Sequence, residues 1–81
     1  MELEYSKIAE KTIKSFDKPT RRHILAAING LLKEPPEGDI KAMQGNRSDY
    51  RLRVGKYRVI FRVSRQSIYI DKVGSRGDIY K

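Results

Sequence analysis

Arginine and tyrosine are the residues of this chain with chemistry to offer. Arg51, Arg53, Arg58 and Arg62 lie in one stretch, interleaved with Tyr50 and Tyr57. A guanidinium stays charged and presents a planar fork that matches two phosphate oxygens. A phenol exchanges a proton or stacks on a base. Together they suffice for RNA cleavage without a metal. The RNA 2′-OH attacks the adjacent phosphorus, arginines hold the phosphate oxygens, and a proton leaves with the 5′-oxygen. DNA lacks that internal nucleophile. The same features also suffice for binding alone, and composition does not separate the two.

Other chemistries find little support. The chain has no Cys, so it has no disulfide framework, thiolate nucleophile or Cys-based metal site. His23 is the only His and falls among helix-forming residues, which argues against a Ser-His-Asp arrangement. The acidic residues do not recur at metal-ligand spacing, and the glycines form no phosphate-binding loop. Neither a metal nor an organic cofactor is expected.

The charge points to an anionic partner. The formal net charge is +8 over 81 residues. Residues 1–40 carry seven Lys/Arg and seven Asp/Glu, whereas residues 41–81 carry eleven and three. Seven of those eleven are Arg. A solubilising surface needs neither one sign nor a preference for Arg, so nucleic acid is the expected ligand. The length suits one domain with a modest core. No apolar run is long enough to span a membrane and the start lacks a signal-peptide pattern, so a cytoplasmic protein is expected.

The elements that must position the arginines can be read from periodicity. Tyr50, Leu52 and Val54 alternate with Arg51 and Arg53; after Gly55-Lys56, Tyr57, Val59, Phe61 and Val63 alternate with Arg58, Ile60 and Arg62. Period two on both sides of a two-residue break with Gly first predicts a type II′ hairpin. Val54 then faces Tyr57, Leu52 faces Val59, and Arg53 faces Arg58. One hairpin face is apolar and the other carries four arginines. Like charges directly opposite destabilise a sheet. The Arg53–Arg58 pair is therefore read as one phosphate-sized site with Arg51 beside it. Tyr50, Tyr57 and Phe61 are read as core.

Glu2 to Tyr5 reads as a short strand with Leu3 and Tyr5 on one face. Ser6 caps a helix to about Phe16, with Ile8, Thr12, Ile13 and Phe16 on one side. Pro19 suits the first turn of a second helix, whose stripe is Ile24, Leu25, Ile28, Leu31 and Leu32. The run Glu34 to Asp39 ends it, and Ile40 to Asp49 is a connection with room for one short turn or strand. A two-residue loop at Arg65-Gln66 leads to a strand over Ser67 to Val73. Val63 then faces Ile68, Phe61 faces Ile70, and Ile60 faces Asp71, which places Asp71 near Arg51. Strict alternation would turn Lys72 to the core, so either the strand ends there or a bulge intervenes. Residues 74–78 form an exit before Ile79-Tyr80-Lys81. The fold class is α+β, in the order β-α-α-β-β-β. A two-helix hairpin packs on one face of a small, mainly antiparallel sheet, and the arginine face is left open.

The stretches Ile40-Lys41-Ala42-Met43-Gln44-Gly45, Asp49 to Val54, Gly55 to Phe61 and Val73 to Tyr80 resemble the RelE/ParE toxin superfamily, specifically the RelE-type messenger-RNA interferases of type II toxin–antitoxin pairs. The likeness covers nearly the whole of 1–81 as a single toxin domain. It implies a toxin that cuts mRNA in the ribosomal A site by 2′-OH attack and inhibits translation. By resemblance the catalytic positions are Arg51, Arg53, Arg58, Arg76 and Tyr80. Lys41, Arg47, Lys56, Arg62, Lys72 and Lys81 are the accompanying contacts to RNA or ribosome. The best-known members carry Lys where this chain has Arg51 and Arg53. Arginine does not deprotonate, so Tyr80 would be the base, or catalysis would rest on electrostatics and alignment. The implied partners are the ribosome, mRNA and a cognate antitoxin in a hetero-oligomer, its acidic or amphipathic segment covering the arginine face or a sheet edge. Two alternatives share the fold: a ParE-type inhibitor of DNA gyrase and a non-catalytic RNA-binding module.

Overall fold

The computed structural model describes residues 1–43 and 49–75. Its elements are β1 (Glu2–Tyr5), α1 (Lys7–Ser15), α2 (Lys18–Asn29) continued by a 3-10 turn (Gly30–Leu32), β2 (Asp39–Ala42), β3 (Asp49–Val54), β4 (Tyr57–Val63) and β5 (Ser67–Ser75). The five strands form one sheet in the order β1-β5-β4-β3-β2. β1 runs parallel to β5 and every other pairing is antiparallel. Both helices pack on the sheet, giving the expected α+β fold. β2 is the strand for which the Ile40–Asp49 connection left room.

The hairpin follows from its sequence. Gly55 has φ +59°, a left-handed conformation that glycine adopts without Cβ strain. The register pairs Val54 with Tyr57, Arg53 with Arg58 and Leu52 with Val59. Leu52, Val54, Val59 and Phe61 enter the core with Ile68, Ile70 and Val73. Tyr50 stacks on Phe61 at 5.6 Å and Tyr57 meets Phe16 at 4.9 Å, so the hairpin aromatics belong to the packed layer.

β5 departs from strict alternation. Phe61 pairs with Ile70, but Ile60 pairs with Lys72 rather than Asp71. Asp71 is thus the extra residue of a bulge. The bulge keeps Lys72 exposed and returns Val73 to the core opposite Val59. It also removes Asp71 from its expected place opposite Ile60, and Arg51 makes no ion pair with it among the described residues.

Ser6 joins the bulge to the helical layer. Its Oγ accepts from the Ala9 N–H at 2.9 Å and donates to the Asp71 carbonyl at 2.7 Å. This anchor sets the phase of α1, so Ala9 and Ile13 face the core. Ile8, expected on that face, is instead 67% exposed. In the second helix Ile24, Ile28 and Leu31 are buried as expected. Leu32 is exposed, because the tighter 3-10 turn rotates it off the stripe. Among the described residues no helix is long and apolar enough to cross a membrane.

Candidate functional site

Three cross-strand rows build the face away from the core cluster. Nearest the hairpin turn, Asp39, Arg53, Arg58 and Gly74 lie side by side on β2, β3, β4 and β5. The middle row is Lys41, Arg51, Ile60 and Lys72. The far row is Asp49, Arg62, Tyr69 and Glu4. Arg51, Arg53 and Arg58 are therefore brought together on two adjacent strands, with Lys41 and Lys72 flanking. Arg62 sits at the far end, and Lys56 lies in the turn with its Nζ 5.5 Å from the Tyr57 ring centre. Arg47, Arg76, Tyr80 and Lys81 lie outside the described residues.

The face is not uniformly open, which corrects the expectation from alternation. Arg53 and Arg62 are exposed and Arg51 is half-buried, but Arg58 is only 7% exposed and Ile60 only 5%. Ile60 lies between Arg51 and Lys72, whose methylene stems can lie over an apolar neighbour. The Arg58 guanidinium folds back on the hairpin end. Its Nη1 donates to the Tyr57 carbonyl at 3.1 Å and the Gly55 carbonyl at 3.4 Å. Those carbonyl dipoles hold one end of the guanidinium. Across the strand, Gly74 contributes no side chain to crowd it.

Like charges converge on this part of the face. Arg53 and Arg58 oppose each other with like charge. The Nε atoms of Arg51 and Arg58 are buried and have no hydrogen-bond partner among the described residues. A buried donor left unpaired costs about 1–3 kcal/mol, more when charged. An anion beside the exposed Arg53 would offset the mutual repulsion. Tyr69, on the same face, is not among the sequence candidates. Counting back from a two-residue loop at Arg65-Gln66 places it opposite Arg62.

A second surface lies at the end of the helical layer. A cavity of about 690 Å³ is lined by Met1, Leu31, Leu32, the 33–36 segment, Ile40, Tyr50, Phe61, Val63 and Ile68. Leu32 and Val63 are exposed along it.

A helical pair thus covers one face of a five-stranded sheet whose hairpin carries an arginine cluster on the other. Residues 3–80 match the family model described as ParE toxin of type II toxin-antitoxin system, parDE. The chain belongs to this family, within the RelE/ParE superfamily, and is the toxin of a type II toxin–antitoxin system. Among solved structures it resembles a chain of the RelE–RelB complex from Pyrococcus horikoshii, with 31% identity, a TM-score of 0.78, and coverage of 95% of this chain and 96% of that one. A chain of the RelB–RelE antitoxin–toxin complex from Methanococcus jannaschii is 28% identical, with a TM-score of 0.78 and coverage of 95% and 94%. The isolated RelE toxin of E. coli shares the fold at 19% identity and a TM-score of 0.76, over 96% of this chain and 88% of that one. No curated protein matches the chain.

Proposed function

We propose that this toxin is a ribosome-dependent endoribonuclease that cuts mRNA without a metal and so inhibits translation. The observation that carries the reading is the meeting of Arg53 with Arg58 across adjacent strands, with Arg51 beside them. In the reaction a base takes the proton of the RNA 2′-OH. The 2′-oxygen bonds to the adjacent phosphorus, and the bond from phosphorus to the 5′-oxygen breaks. The 5′-oxygen leaves with a proton, so the products are a 2′,3′-cyclic phosphate and a 5′-hydroxyl. Arg51, Arg53 and Arg58 balance the charge that grows on the non-bridging oxygens. Arginine cannot supply the base. By resemblance that role falls to Tyr80, with Arg76 as a further phosphate contact. Lys41 and Lys72 extend the cationic surface along the RNA, with Lys56 at the turn and Arg62 at the far end. Arg47 and Lys81 are proposed as further contacts.

The proposed partner is a RelB-like antitoxin, since the two archaeal relatives are complexes of RelE with RelB. The 690 Å³ apolar cavity suits the apolar side of an amphipathic segment, and the arginine cluster on the opposite sheet face suits acidic residues, in a cytoplasmic hetero-oligomer. A second reading, inhibition of DNA gyrase, draws on the match to the ParE family model. Expression of the toxin with and without antitoxin separates the two. Translation arrest with mRNA cut only when ribosomes are present supports the nuclease. A DNA-damage response with intact mRNA supports the gyrase inhibitor. An Arg58→Ala toxin that arrests growth as strongly as the parent would overturn the assigned site.

A further inference from the structure

The far row of the sheet has a composition unlike the phosphate rows. Arg62 pairs with Tyr69, and Tyr69 with Glu4. The Arg62 Cζ lies 5.0 Å from the centre of the Tyr69 ring. Half of the Arg62 side chain, 51%, remains exposed. The guanidinium is thus held over the ring, with its Nε 4.0 Å from the Asp49 Oδ1. A flat, conjugated cation supported in this way is a stacking platform for a nucleobase. Next to it is a cavity of about 350 Å³ lined by Glu4, Arg62, Val63, Ser64, Ser67 and Tyr69. That volume lies within the range of small-ligand clefts. Its rim is ordered by the turn: the Ser64 N–H donates to the Ser67 carbonyl at 2.9 Å, and the two hydroxyls are hydrogen-bonded at 2.9 Å.

Glu4 decides which base fits. An ionised carboxylate only accepts hydrogen bonds. The Watson–Crick edge of guanine presents two adjacent donors, the ring N1–H and the 2-amino group, which match two carboxylate oxygens. Adenine and cytosine each present one amino donor beside a ring acceptor that repels a carboxylate. Uracil presents one N–H between two carbonyls. We propose that Arg62, Tyr69 and Glu4 form a guanine subsite for single-stranded RNA. Arg58 and Arg62 are four residues apart on β4, about 13 Å in a strand, so the base belongs to a different nucleotide from the one whose phosphate meets Arg53 and Arg58. The subsite rests on the nuclease reading for the identity of the strand, but base recognition can be measured without cutting.

The test titrates full-length toxin into fluorescent 2′-O-methyl oligonucleotides, which lack the attacking hydroxyl, containing either guanine or adenine. The parent is expected to prefer guanine by about tenfold. Glu4→Gln, at an exposed position, removes the preference: guanine binding weakens, and adenine binding rises as the carboxylate's repulsion is lost. Tyr69→Ala weakens binding of both by about tenfold. Where Tyr69→Ala unfolds, Arg62→Gln supplies the same readout. A parent without base preference, or Glu4→Gln with the parent's preference, overturns the subsite even if the toxin cuts mRNA on ribosomes. Guanine preference with no cutting upholds the subsite and removes the nuclease reading instead.

Discussion

Arg53 and Arg58 face each other across one pair of strands yet occupy different environments. Arg53 is exposed, whereas Arg58 is buried and tied to the carbonyls of Gly55 and Tyr57. A lysine would keep the charge at either site but lose the fork. Because only the Arg58 fork is anchored, Arg58→Lys is expected to slow mRNA cutting on the order of a hundredfold, with Arg53→Lys nearer tenfold. Single-turnover cutting on programmed ribosomes measures both. Tyr5 offers a test unrelated to the site. Burial pushes its phenol above the ordinary tyrosine value. The folded state then holds the proton more tightly than the unfolded chain. Its contribution is fully present below about pH 10 and is lost as pH rises towards the folded-state value. Tyr5→Phe should therefore flatten the alkaline limb of stability against pH, measured by urea melts on both sides of that value.

The elements are held by a few local devices whose loss should be measurable. Gly38 has φ +123°, and an added Cβ would come within 2.6 Å of Leu52 Cδ1 in the core. Gly55 also has positive φ, but the space around it is empty. Gly38→Ala is thus expected to cost at least about 2 kcal/mol, from overpacking and backbone strain together. Gly55→Ala should cost about 1 kcal/mol from strain alone. Ser6→Ala removes the helix cap and frees the Asp71 carbonyl, for a loss of about 1–2 kcal/mol. Chemical denaturation of the three variants orders them. The hairpin was legible because alternation and turn length together determine a register. The bulge was legible only as a conflict at Lys72, since alternation shows that a residue must be skipped but not which one. Asp71 is the one skipped, and its carbonyl is where Ser6 docks.

At the scale of the molecule, one half of the chain carries the net charge, and the sheet gathers Lys41, Arg51, Arg53, Arg58, Arg62 and Lys72 onto one face. RNA held by three arginine–phosphate contacts should show a log affinity that falls against log salt with a slope of roughly −2 for a single strand. Arg53→Gln should reduce that slope by about one contact, whatever the base composition. Titration of a non-cleavable oligonucleotide across salt concentrations checks both. The sequence by itself determined the α+β order, the hairpin register and the meeting of Arg53 with Arg58, because these depend on period and loop length. Burial and helix phase came from the tertiary structure. Ile8 faces solvent because Ser6 is anchored to the Asp71 carbonyl on β5, a contact 65 residues away in sequence. Arg58 is buried because its guanidinium closes onto the hairpin carbonyls. Glu4 joins Arg62 and Tyr69 because β1 pairs with β5 as a parallel edge strand. Such pairings are decided by packing between distant segments, and local pattern carries no record of them.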